Sequence, residues 1–180
     1  MGPGYLLSTG AGEGEQVYQY FGAWPHSHGD IAAPGRNNTA IVRYTSRRDG
    51  WVSVDGDYAG LEGFGNDTSR MPYITTNPLT VPKCENRWVA QLRLNVKTSV
   101  VGFSAAELRC PTDQSHLCDA YSLERASRIR GNFISKKAGW GDPGVPGDFT
   151  DSLKPLEGQM VSVHFVIPDA ELYSLSFVCA

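Results

Sequence analysis

Between residues 88 and 96 the side chains keep a strict two-residue rhythm. Val89, Gln91, Arg93 and Asn95 fall on one side, and Ala90, Leu92, Leu94 and Val96 on the other. A period of two places the two sets on opposite faces of a pleated strand, whereas a helix needs a stripe repeating every 3.6 residues. The same rhythm returns over residues 100–109, where Ala105, Glu107 and Arg109 oppose Ala106 and Leu108. It returns again over 160–167, where Val161, Val163, Phe165 and Ile167 share a face. Residues 172–178 carry apolar groups on both faces, the pattern expected of a central strand. Residues 17–21, 39–45, 51–54, 74–81 and 132–137 read as further strands, with Pro78 marking an edge or bulge in the fourth. Arg48-Asp49-Gly50 is a turn signal, so 39–54 reads as a hairpin.

No segment of about 12 residues carries a helical stripe. Residues 120–130 come nearest and still lack one, and 153–156 reads as a single turn. The 20 glycines and 11 prolines punctuate the apolar runs, with glycine-rich loops at 56–70 and 139–148. About ten strands without intervening helices make an all-β sandwich or barrel. Residues 1–15 read as a flexible lead-in, and 16–180 as one domain.

Charge and hydropathy exclude several function classes. A formal net charge of -3 leaves no basic face for nucleic acid. The cluster Arg43, Arg47 and Arg48 reads as a solvated strand end. No apolar run reaches the length of a membrane span, and no basic-then-apolar leader opens the chain. None of the four cysteines forms a C-x-x-C pair, which argues against a zinc ribbon or a thioredoxin-like motif. Cys110 and Cys118 flank a short polar stretch, a spacing that suits a disulfide closing a loop in an oxidising compartment; four reduced thiols is the other reading. With the sequons Asn37-Asn38-Thr39 and Asn66-Asp67-Thr68, this tilts the location toward the secretory pathway or the cell exterior.

Several strings, taken in order, resemble one known domain. Gln16-Val17-Tyr18-Gln19-Tyr20-Phe21 and His28-Gly29-Asp30 resemble its entry. Arg48-Asp49-Gly50-Trp51-Val52-Ser53-Val54-Asp55 is similar to its hairpin R-x-D-G-F-V-S-x-D. Thr75-Thr76-Asn77-Pro78-Leu79 resembles its T-x-P-L. Leu92-Arg93-Leu94-Asn95-Val96-Lys97-Thr98-Ser99 resembles its L-x-L-N-x-x-T-S strand. Val163-His164-Phe165 and Asp169-Ala170-Glu171-Leu172-Tyr173-Ser174 resemble its closing strands. The domain is the C-terminal β-sandwich of glycoside hydrolases related to families 32 and 43. The resemblance implies a two-sheet antiparallel sandwich, jelly-roll or concanavalin-like, without the catalytic propeller that carries the acids in those proteins. The loop between Cys110 and Cys118 and the glycine-rich stretch 56–70 depart from the pattern.

Glycan cleavage needs two carboxylates facing the scissile bond. The nearest pair here, Asp55 and Asp57, lacks a third acid and sits among glycines. It reads as a turn, with a Ca²⁺ loop as the alternative. His26-Ser27-His28-Gly29-Asp30 is the most metal-like string, although Pro25 and Gly29 speak for a hydrogen-bonded turn. No G-x-S-x-G elbow is present. Sugars stack on exposed aromatic rings, so loop residues Trp24 and Trp140, joined by Tyr20 and Tyr58, with His28 and Asp30 as polar partners, form the candidate carbohydrate site. Trp51 and Trp88, in strands, are assigned to the core. The expected function is a non-catalytic carbohydrate-binding or lectin-like module whose partner is a glycan. The alternative is a scaffolding subunit whose partner is a protein, and a glycan-active enzyme comes third.

Overall fold

The computed structural model describes residues 6–9, 16–23, 40–57, 71–142, 145 and 148–180. Eleven strands run through them: β1 Leu6–Thr9, β2 Gln16–Ala23, β3 Ala40–Arg47, β4 Val54–Gly56, β5 Tyr73–Thr75, β6 Leu79–Thr80, β7 Ala90–Thr98, β8 Ala105–Arg109, β9 Asn132–Lys137, β10 Met160–Val166 and β11 Ala170–Cys179. All pairings between them are antiparallel. The protein is all-β, and its helical content among the described residues is two 3-10 segments, Thr112–Tyr121 and Lys154–Leu156. Among those residues no helix is long and apolar enough to cross a membrane.

The chain divides into two compact units, Met1–Trp51 and Val52–Ala180. The first holds one sheet, ordered β1-β2-β3. Part of the expected lead-in therefore belongs to a sheet: Leu6–Thr9 pairs with Gln16–Gln19. The expected hairpin over 39–54 does not form. Its turn exists, with Gly50 N–H donating to Arg47 O and Asp49 at φ 51. Yet β3 spends its ladder on β2, and β4 pairs with β11 instead.

The second unit holds two sheets. One is ordered β4-β11-β7-β9; in the other, β10 pairs with β5, β6 and β8. Ala90, Leu92, Leu94 and Val96 of β7 meet Val161, Val163 and Phe165 of β10 and Ala106 and Leu108 of β8 in one apolar cluster. These are the alternating sets read from the sequence, and each buried Val, Leu or Phe among them adds about 1.5–3 kcal/mol of hydrophobic stabilisation. Two segments depart from the expected pattern. The strand expected over 74–81 is broken between β5 and β6, because Pro78 has no N–H to give the ladder. Thr76 spans part of the gap: its N–H donates to Val163 O, and its Oγ1 accepts from Val163 N–H. In β11 the mixed apolar pattern comes from a bulge between Leu172 and Ser174. The extra residue shifts the parity, so Leu172 opposite Val96 and Leu175 opposite Leu94 pack on the same core.

Two disulfides staple this unit. Cys84–Cys179 ties the loop before β7 to the end of β11 across 95 positions. Cys110–Cys118 closes the turn after β8 across 8.

Candidate functional site

Of the expected aromatic site, the described residues hold only Tyr20 and Trp140. Trp24, His28, Asp30 and Tyr58 lie outside the described residues, as does His26. Tyr20 is half-buried in β2, opposite Arg43. Trp140 is 0% exposed and belongs to the core of the second unit. Its Nε1–H donates to Ala106 O at 2.8 Å, and its ring meets Tyr121 edge-on at 5.2 Å. Backbone bridges to Ala126 and Thr150 fix it there. An indole enclosed on all sides has no face for a sugar, so Trp140 is withdrawn from the site. Trp51 and Trp88, assigned to the core, are instead exposed. The error has a common cause: Trp88 precedes β7 and Trp51 precedes β4, so neither takes a place in the pleat.

Asp55 and Asp57 lie at β4 and line a small recess with Lys97, Asp169 and Glu171. Asp55 stands opposite Glu171 across the β4–β11 ladder. The Lys97 ammonium is 2.6 Å from Glu171 Oε1 and already places a positive charge there. Asp169 accepts from Ser99 Oγ–H. Among the described residues no group of three His, Cys, Asp or Glu side chains is arranged to hold a metal ion.

A larger cleft, of about 790 Å³, opens on the other sheet of the same unit. Its floor follows from the register of β10. Val161, Val163 and Phe165 point into the core, so Ser162, His164 and Val166 point outward. Val166 stands between Tyr73 of β5 and Ala105 of β8, and His164 stands between Thr75 and Glu107. Met71, Phe103, Ala105 and Val166 form a second small apolar cluster under Leu123 and Ala126. The segment carrying Leu123 and Ala126 is one wall of the cleft. Glu107 Oε2 holds it by accepting from Leu123 N–H at 3.2 Å.

The opposite wall is formed by Gly141, Asp142, Val145 and Phe149. A Cβ on Gly139 would lie 2.0 Å from Phe149 Cζ, and one on Gly141 would lie 2.7 Å from Phe149 Cα. The two glycines thus let the Phe149 ring lie against the backbone while the residue stays 62% exposed. An outward aromatic ring backed by glycine is a platform. Charged groups surround it. Arg125 joins the walls, reaching Asp142 Oδ1 at 2.5 Å and Asp148 Oδ2 at 2.7 Å. Asp148 also accepts from Asp142 N–H, and this bond leads in holding its carboxyl below the usual range, with Arg125 adding to it against the opposing effect of burial.

Next to the cleft, His164 Nδ1 is 2.7 Å from Thr75 Oγ1, and Tyr73 lies over the imidazole at 5.2 Å. Burial lowers the His164 pKa, the Arg109 charge lowers it further, and Glu107 opposes both. A hydroxyl on an imidazole is two-thirds of a nucleophilic triad. The third member is committed elsewhere: Glu107 pairs with Arg109 Nε at 2.5 Å through one oxygen and with Leu123 N–H through the other.

No family model, no curated protein and no solved structure matches the chain. The cleft residues Phe149, Arg125 and Arg128 were not singled out from the sequence. The signal available there was Gly139 and Gly141, on either side of Trp140, upstream of Phe149.

Proposed function

We propose that this chain is a non-catalytic carbohydrate-binding module, a jelly-roll or concanavalin-like sandwich of the kind that accompanies glycoside hydrolases. One observation carries the reading: the Phe149 ring abuts Gly139 through its Cζ end, stays 62% exposed, and lines one cleft with the charged groups of Arg125 and Asp142. A ring to stack on and bidentate groups to catch hydroxyls are what a pyranose needs, and such sites are concave with few polar anchors. The sequence resemblance and the two disulfides, which suit an oxidising compartment, fit the same reading. Titration of the full chain against a panel of soluble polysaccharides tests it. Binding that Phe149→Ala removes while thermal unfolding stays unchanged supports the proposal, and a uniform failure to bind refutes it.

A scaffolding role is the second reading, and β3 favours it. This strand lies at the edge of the first unit's sheet, with Ile41, Val42 and Tyr44 exposed. An exposed apolar edge strand is a template for pairing with another chain.

A further inference from the structure

The cations of the cleft are not all used alike. Arg125 is doubly paired with Asp142 and Asp148. Arg128 also lines the cleft, and among the described residues it has no carboxylate partner. Its guanidinium carbon sits 4.6 Å from the centroid of the Phe103 ring, and that of Arg130 sits 5.7 Å from the same centroid. Arg130 donates to Val101 O at 3.2 Å and likewise forms no ion pair among those residues. Two like charges are therefore gathered on one buried ring. The ring's negative face holds each of them, and their mutual repulsion is left without a described counter-charge. Glu124 lines the cleft as well, yet it is not within ion-pair distance of either arginine. A guanidinium held on an aromatic face loses less freedom when it binds an oxyanion, and its fork matches a carboxylate or sulfate.

We propose that the glycan taken by this cleft is acidic, with its uronate carboxylate or sulfate ester seated on Arg128 and Arg130 adding to the field. This rests on the carbohydrate reading above and names its substrate class. Phe149 serves any pyranose, and Arg128 selects the charged one.

The test is titration of the full chain with polygalacturonate, chondroitin sulfate and neutral galactan, at low and high sodium chloride. At least one acidic polymer should bind at least about tenfold tighter than galactan, and salt should weaken that binding. Preference for polygalacturonate alone identifies a carboxylate site, and a requirement for the sulfated polymer identifies a sulfate site. Arg128→Gln should abolish the preference, and Arg128→Lys should restore part of it. Equal binding of neutral and acidic polymers, insensitive to salt, overturns the inference and leaves the carbohydrate reading standing. If Arg128→Gln fails to fold, the salt dependence of the unmodified protein still decides. Binding to none of the three removes the inference together with the reading it rests on.

Discussion

Replacing Gly139 with alanine separates the site from the fold. The added methyl would stand 2.0 Å from Phe149 Cζ and 2.5 Å from Cε2. Carbon atoms in contact sit about 3.5–4.0 Å apart, so the ring must retreat by about 1.5–2 Å. The obstructing atoms are the far end of a side chain that faces solvent, so the ring can retreat. On a lever of about 5 Å from Cα, this is a rotation of about 20°, at an off-rotamer cost on the order of 1 kcal/mol. The alanine also restricts the unfolded chain, a gain of about 0.4–1 kcal/mol. The two nearly cancel, so the stability measured by urea unfolding should change by less than about 1 kcal/mol. Sugar affinity should nevertheless fall by about tenfold, because the platform is tilted away. Gly56 provides the contrast. A Cβ there would lie 1.8 Å from the Ile167 carbonyl oxygen, a backbone atom that cannot swing aside, so Gly56→Ala should cost about 3 kcal/mol. A loss of more than about 3 kcal/mol for Gly139→Ala would show that Phe149 is locked by packing, and the reasoning would fail.

Two further outcomes follow from the staples and from His164. The chain-entropy relation gives about 4.7 kcal/mol for the 95-position loop of Cys84–Cys179 and about 2.5 kcal/mol for the 8-position loop of Cys110–Cys118. Paired Cys→Ser variants should therefore differ by about 2 kcal/mol in urea unfolding, and equal losses would contradict the entropic account. His164 is held neutral, with its folded pKa below its unfolded value near 6.5. The unfolded chain binds the proton first, so stability is full above about pH 6.5 and declines as pH falls toward the lower folded value. His164→Gln should flatten that part of the Tm–pH curve, and an unchanged slope would exclude His164 as its source.

The second unit's core was readable because burial there follows the pleat. Leu92, Leu94, Val163 and Phe165 alternate with polar groups, and a period of two needs no knowledge of partners. Pairing was less readable, since it depends on which distant ladder wins. Val54 goes to Leu172 rather than back to β3, and nothing local in Arg48-Asp49-Gly50 decides that. The bulge in β11 disguised a regular rhythm as a mixed one, because a single extra residue reverses every side chain after it. The tryptophans misled for a related reason. A loop position suggested exposure for Trp140, but the chain on either side bridges to Ala126 and Thr150 and closes over it. The cleft itself depends on what Gly139 and Gly141 lack, and missing atoms leave no periodic trace in a sequence.

The Cys84–Cys179 bond has a mechanical consequence. Tension applied at Ala180 reaches the disulfide after one residue and passes to Cys84, so β11 is not peeled from β7 one hydrogen bond at a time. The 95 positions between the two sulfurs store about 300 Å of contour length that a pull cannot draw out until a reductant cuts the bond. A domain tethered through that end would behave as a stiff link in an oxidising medium and as an extensible one in a reducing medium.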